Sequence, residues 1–156
     1  MKKRTFLKLS STLLAAPLFT SMKSWAKPNT ELKNWAGNLT YSTNKLYEAT
    51  SVTELQNFVK KTSRLKVLGS RHCFSDIADS TKQLVSLSGM NQAYLDEQNR
   101  TVSVDAGMNY GQLSPYLHQR GFALLNLASL PHISVVGACA TATHGSGFGL
   151  GNLATS

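Results

Sequence analysis

The run Leu68-Gly69-Ser70-Arg71-His72-Cys73-Phe74 is answered later by Ser129-Leu-Pro-His132-Ile-Ser134-Val-Val-Gly137 and Thr141-Ala-Thr-His144-Gly-Ser-Gly147, and together these segments constrain the chain more than any other feature. Main chain can touch an anion only where no bulky Cβ substituent intervenes, and glycine also admits the positive φ values such loops need. Glycine-punctuated loops that each hold a histidine among small hydroxyl residues are therefore suited to wrapping backbone amides around a dinucleotide's phosphates. A cofactor site is the first inference.

With 156 residues, 42% hydrophobic and 15% charged, the chain can make one modest globular domain and not a two-domain enzyme. The net charge of +8 suggests a polyanion partner until it is located. Lys2, Lys3, Arg4, Lys8 and Lys23 all fall within residues 1–26, which contain no acid. The mild balance of the remainder argues against nucleic acid. Residues 1–26 themselves combine a basic start, an apolar stretch from Leu9 to Phe19, and Ser24-Trp25-Ala26 before Lys27-Pro28. That is the pattern of a cleaved secretory signal peptide, and the apolar stretch is too short for a stable membrane span. Lys3-Arg4-Thr-Phe6-Leu7-Lys8 resembles the twin-arginine export motif, with lysine in place of its first arginine, so a periplasmic or secreted location is expected. The two cysteines, Cys73 and Cys139, are too few for a disulfide scaffold and are expected to be free.

Ser51-Val-Thr-Glu54 reads as a capping box, followed by Val52, Leu55, Phe58 and Val59 at helical spacing. Strands are expected at Leu65–Leu68 and Leu84–Leu87, and a hairpin from Ala93–Leu95 and Thr101–Val104 around Glu97-Gln-Asn-Arg100. Asn109 can cap a helix through Leu113, Tyr116 and Leu117 that Gly121 ends. Phe122–Leu127 is expected to be a strand entering the second loop, and a short helix is expected to begin near Ser134. His118 is expected at the surface of its helix. This mixed order predicts an α+β domain. No Gly-x-Gly-x-x-Gly opens a helix directly after a strand, which disfavours a Rossmann fold, although Gly145-Ser-Gly147-Phe-Gly149-Leu-Gly151 imitates it in composition. Tight Cys-x-x-Cys or His-x-x-x-His pairs are absent, so no metal site is expected, and no Gly-x-Ser-x-Gly elbow suggests a hydrolase.

From Asn34-Trp35-Ala36-Gly37-Asn38 to Ser156, through Gly69-Ser70-x-His72 and the stretch Ala128–Gly147, the sequence resembles the covalent-flavin alditol (xylitol-type) oxidases and the related sugar-lactone oxidases. The resemblance implies FAD as cofactor and a flavin domain of the PCMH type, in which two small α/β subdomains hold FAD between them. It implies that His72 carries the flavin covalently through the 8α-methyl carbon, a bond that needs a neutral, oriented imidazole. It places Val67, Leu68, Gly69, Ser70, Arg71 and Cys73 along the adenine and diphosphate side. It places Ser129, Ser134, Gly137, Thr141, Ala142, Thr143 and His144 at the remaining flavin contacts. His132 and His144 read equally as loop-stabilising donors.

Residues 27–156 are accordingly expected to form the N-terminal part of an FAD-binding domain, incomplete at its C-terminal end, without a substrate domain and without a catalytic residue of its own. The complete enzyme would oxidise a polyol or sugar CH–OH group with dioxygen, giving hydrogen peroxide, and a polyol or sugar substrate would bind only with a C-terminal half. The alternatives are a non-catalytic flavin-binding remnant, one half of a split oxidase, or a gulonolactone- or arabinonolactone-type oxidase.

Overall fold

The computed structural model describes residues 31–155, so the expected leader lies outside the described residues. Strand β1 (Leu46–Glu48), helix α1 (Val52–Lys61), strand β2 (Leu65–Val67) and strand β3 (Gln83–Ser86) follow one another along the chain. The strands form a parallel sheet in the order β1-β3-β2, with Leu46 and Lys66 both in register with Leu84 from opposite sides. Parallel neighbours cannot be joined by a tight turn. Helix α1 carries the crossover from β1 to β2, and the His72 loop carries the chain from β2 to β3. The central position of β3 matches its apolar pair, Leu84 and Val85, which are 0% and 1% exposed.

Ser51 caps α1 by accepting the Glu54 amide at 3.2 Å, and the Glu54 carboxylate reaches back to the Thr50 amide at 2.9 Å. Lys60 and Lys61 complement the helix dipole in the last turn. No residue of α1 is fully buried, and Phe58 is held by stacking on Tyr47 of β1 with ring centroids 4.0 Å apart. Beneath the sheet, Tyr41, Leu68 and Leu84 form a core with Leu32, Leu39 and Leu46 packed around it.

Strands β4 (Ala93–Asp96) and β5 (Thr101–Val104) form an antiparallel hairpin. Its turn is closed by Asp96, whose carboxylate accepts the Gln98 and Asn99 amides at 3.1 and 3.0 Å. Helix α2 (Tyr110–His118) begins at a reciprocal capping box between Asn109 and Gln112 and stops before Gly121, whose φ is +78°. Its buried face, Leu113 and Leu117 with Met108, packs on Ala93, Leu95, Val102 and Val104 of the hairpin. His118 is exposed. Helix α3 (Val135–Ala140) follows Ser134 and buries Ala138 against Tyr110, Ile133 and Leu153.

Two differences from the sequence expectations have physical causes. Phe122–Leu127 is not a strand. Its side chains do alternate, with Phe122, Leu124 and Asn126 half-buried and Ala123, Leu125 and Leu127 exposed, but no neighbouring strand among the described residues offers it a ladder. Strand β1 was not anticipated, because a three-residue strand is too short to show a period.

Candidate cofactor-binding site

The first loop leaves β2 at a fixed point, because Leu68 is 2% exposed and its amide donates to the Val85 carbonyl at 2.8 Å. Beyond it, the consecutive amides of Gly69, Ser70, Arg71, His72 and Cys73 have no hydrogen-bond partner among the described residues. Arg71 sits in the left-handed region at φ 61°, a conformation costing about 1–2 kcal/mol for a residue with a Cβ. Successive unpaired N–H groups around such a reversal form an anion-binding concavity.

A turn from the start of the described chain holds that loop in place. The Trp35 amide donates to the Arg71 carbonyl at 2.8 Å, the Asn34 side-chain amide donates to the Cys73 carbonyl at 3.0 Å, and the Arg71 guanidinium donates to the Lys33 carbonyl at 3.2 Å. The main chain is thereby clamped on both sides of His72. Asn34 is itself buried, with its remaining capacity used by Asn38 and the Leu39 amide.

The second loop is anchored from the other side. The Gly111 and Tyr110 amides at the start of α2 donate to the carbonyls of Pro131 and Ile133 at 2.7 and 3.1 Å, and the Val135 amide donates to Met108. The two loops then meet in antiparallel sense. The Ser134 amide donates to the Ser70 hydroxyl at 3.1 Å, and His132 Nε2 lies 3.3 Å from His72 Nδ1. A Cβ on Gly69 would stand 2.7 Å from the Ser134 hydroxyl and one on Gly137 still nearer, so absent side chains on both flanks leave room for Ser134.

His72 is half-buried in an aromatic setting. Trp35 lies at 4.7 Å and Phe74 at 5.5 Å between ring centroids, while Trp35 stacks on His132 at 5.3 Å. Burial first, and the charge of His132 second, hold the His72 pKa below the ordinary imidazole value. The shift favours the neutral imidazole, the form a nitrogen nucleophile needs.

Of the residues expected at the site, Ser70 and Ser134 are in direct contact, His72 meets His132 of the same second loop, and Gly69 and Gly137 lie against Ser134. Val67 is exposed at the loop's root, and Ser129 is exposed ahead of Pro131. Thr141, Ala142, Thr143 and His144 form their own turn. Thr141 bonds to the Gly137 carbonyl and to Thr143, the Thr143 carbonyl accepts the Leu153 amide, Ala142 has φ 51°, and His144 faces solvent beside Gly145. Both cysteines are free; the Cys73 side chain is half-buried in the first loop, and the Cys139 thiol donates to the Leu153 carbonyl. Sequence reasoning noticed the Asn34-Trp35 motif without giving it a place in the site. A tryptophan and an asparagine inside a short polar turn were the signal.

The amide run, the Arg71 cation beside it and the neutral His72 ring fit the diphosphate and isoalloxazine chemistry of a flavin dinucleotide. Residues 44–154 match the family described as FAD binding domain. Over 130 residues the chain is 39% identical to the alditol oxidase of a Streptomyces species, covering 81% of this chain and 31% of that protein. It is 32% identical over 130 residues to L-gulonolactone oxidase of Mus musculus, covering 80% of this chain and 30% of the relative. The D-arabinono-1,4-lactone oxidase of Kluyveromyces lactis is also 32% identical, over 78% of this chain and 25% of its own length. The chain thus spans about a third or less of the curated relatives it matches. Among solved structures, cholesterol oxidase from B. sterolicum shares the fold with a TM-score of 0.64 at 14% identity, over 78% of this chain and 27% of that one. The chain belongs to the FAD binding domain family, and FAD is its cofactor.

Proposed function

We propose that the chain supplies the FAD-binding part of an exported oxidoreductase of the alditol-oxidase type, which oxidises a CH–OH group of a polyol or sugar with dioxygen as acceptor and releases hydrogen peroxide. The carrying observation is the contact of His72 with the second loop, placed directly beside the unpaired amides of Gly69–Cys73. In this reading those amides and the Arg71 guanidinium hold the diphosphate, and the His72 imidazole takes the flavin covalently. Bound FAD supplies the hydride acceptor and returns its electrons to dioxygen. The protein's share is orientation: the Asn34-Trp35 clamp and the Ser70–Ser134 bond fix where the flavin's reactive edge lies. The basic, then apolar, composition of residues 1–26 supports export.

The residues that bind polyol and take its hydroxyl proton are assigned to a C-terminal half, in the same polypeptide or a second one, since the match spans 31% of alditol oxidase. A sugar-lactone oxidase is the second reading, favoured by the 32% identity to L-gulonolactone oxidase. Hydrogen peroxide release from xylitol, sorbitol and L-gulono-1,4-lactone, by the FAD-loaded chain alone and mixed with the C-terminal part of a relative, separates these readings. Polyol-dependent peroxide supports the alditol reading, and lactone-dependent peroxide the second. Silence toward all of them in both settings contradicts the oxidase assignment and leaves a non-catalytic flavin-binding chain.

A further inference from the structure

Using His72 as an attachment point does not explain why an indole and a second imidazole are packed against it from separate parts of the chain. We infer that Trp35 and His132 are positioning residues for His72: they hold its imidazole in one orientation, with the ring proton directed at His132 and the other nitrogen free to bond the flavin. This inference rests on the reading that His72 carries FAD.

The geometry carries it in three steps. First, two imidazole nitrogens 3.3 Å apart can hydrogen-bond only with one proton between them, one ring donating and the other accepting. A neutral His72 that donates to His132 has its lone pair on the nitrogen His132 does not hold. Second, the main chain carrying each ring is held by independent anchors. The Arg71 and Cys73 carbonyls flanking His72 are held by Trp35 and Asn34, and the Pro131 and Ile133 carbonyls flanking His132 are held by Gly111 and Tyr110. Third, Trp35 spans the pair, 4.7 Å from one ring and 5.3 Å from the other, so one indole restrains the planes of both imidazoles.

The proton balance gives His132 a task. As the C–N bond forms, a C–H bond of the flavin methyl breaks, its proton leaves, and its electron pair enters the flavin ring system. The alkylated imidazole still holds its second N–H, and that proton passes to the facing nitrogen of His132. Dioxygen, the acceptor named for this enzyme class, then removes the two electrons and becomes hydrogen peroxide on taking up the two released protons.

The test uses the full chain labelled with 15N at histidine, as wild type, His132→Gln, Trp35→Phe and Trp35→Ala, with far-UV circular dichroism to confirm folding. Two readouts are taken: the imidazole 15N shifts of His72 without flavin, and the rate of covalent FAD gain by denatured mass after FAD is added. Wild type is expected to show one fixed neutral His72 tautomer, and His132→Gln a tautomer mixture with attachment slowed roughly a hundredfold. Trp35→Ala should slow attachment about tenfold through misorientation, with Trp35→Phe restoring most of it. Unchanged 15N shifts and an unchanged attachment rate in folded His132→Gln would overturn the inference while leaving His72 as the attachment site. A wild-type chain that never gains flavin defeats the attachment reading itself, and the 15N shifts alone then decide whether His132 sets the His72 tautomer.

Discussion

The Ser134 amide donates to the Ser70 hydroxyl at 3.1 Å, two residues along each loop from the meeting point of His132 and His72. This bond ties the loop leaving the parallel sheet to the loop resting on α2. Ser70→Ala leaves a buried amide without its acceptor and is expected to cost about 1–3 kcal/mol. Because the bond sets the spacing of the two loops, FAD affinity should fall by more than a surface serine change produces. Urea unfolding and flavin fluorescence titration of the same variant measure both effects.

Gly107 and Gly121 separate two reasons for glycine. A Cβ on Gly107 would overlap the Leu87 carbonyl, with the Met90 carbonyl 2.6 Å away, both of them backbone that cannot swing aside. At Gly121 the space is open and only the φ of +78° resists a side chain. Gly107→Ala should therefore lose more than about 2 kcal/mol, and Gly121→Ala only about 1–2 kcal/mol. Equal losses in urea unfolding would contradict the distinction.

Tyr41 is 5% exposed, its hydroxyl has no hydrogen-bond partner among the described residues, and burial pushes its pKa up. Removing a buried donor that bonds to nothing forfeits only packing of one oxygen. Tyr41→Phe is expected to be neutral or stabilising by up to about 1 kcal/mol, against the usual destabilisation of a core change. A lower urea midpoint for the variant would show that the hydroxyl is satisfied in solution.

The depressed His72 pKa fixes the sign of a pH effect. The unfolded chain binds the proton near pH 6.5, the folded chain only at lower pH, so between the two values the unfolded state holds more protons. His72 thus imposes no penalty above about pH 6.5, and stability falls as pH drops toward the folded pKa. In His72→Gln the stability lost between pH 7 and pH 5 should shrink. An identical pH profile for variant and wild type in urea unfolding would refute this.

Much of the fold could be read from local chemistry. Ser51 with Glu54, Asn109, and Gly121 marked helix ends because capping is local, and the hairpin showed in its strand and turn residues. Phe122–Leu127 misled because alternation reports a face, whereas a strand also needs a neighbour, and that is decided far away in sequence. The same limit applied to the site. His72 stood out within its glycine loop, but its contacts with Trp35 and His132 depend on tertiary placement of a turn and a loop that no local pattern links to it.

The most direct test of the account is the intact mass of the denatured full chain after incubation with FAD, with His72→Ala alongside. The account predicts a gain of one FAD, less the two hydrogens lost in forming the bond, in wild type, and the bare polypeptide mass in His72→Ala. A bare wild-type mass, or the same gain in both proteins, would contradict the assignment of His72 as the residue that holds the flavin.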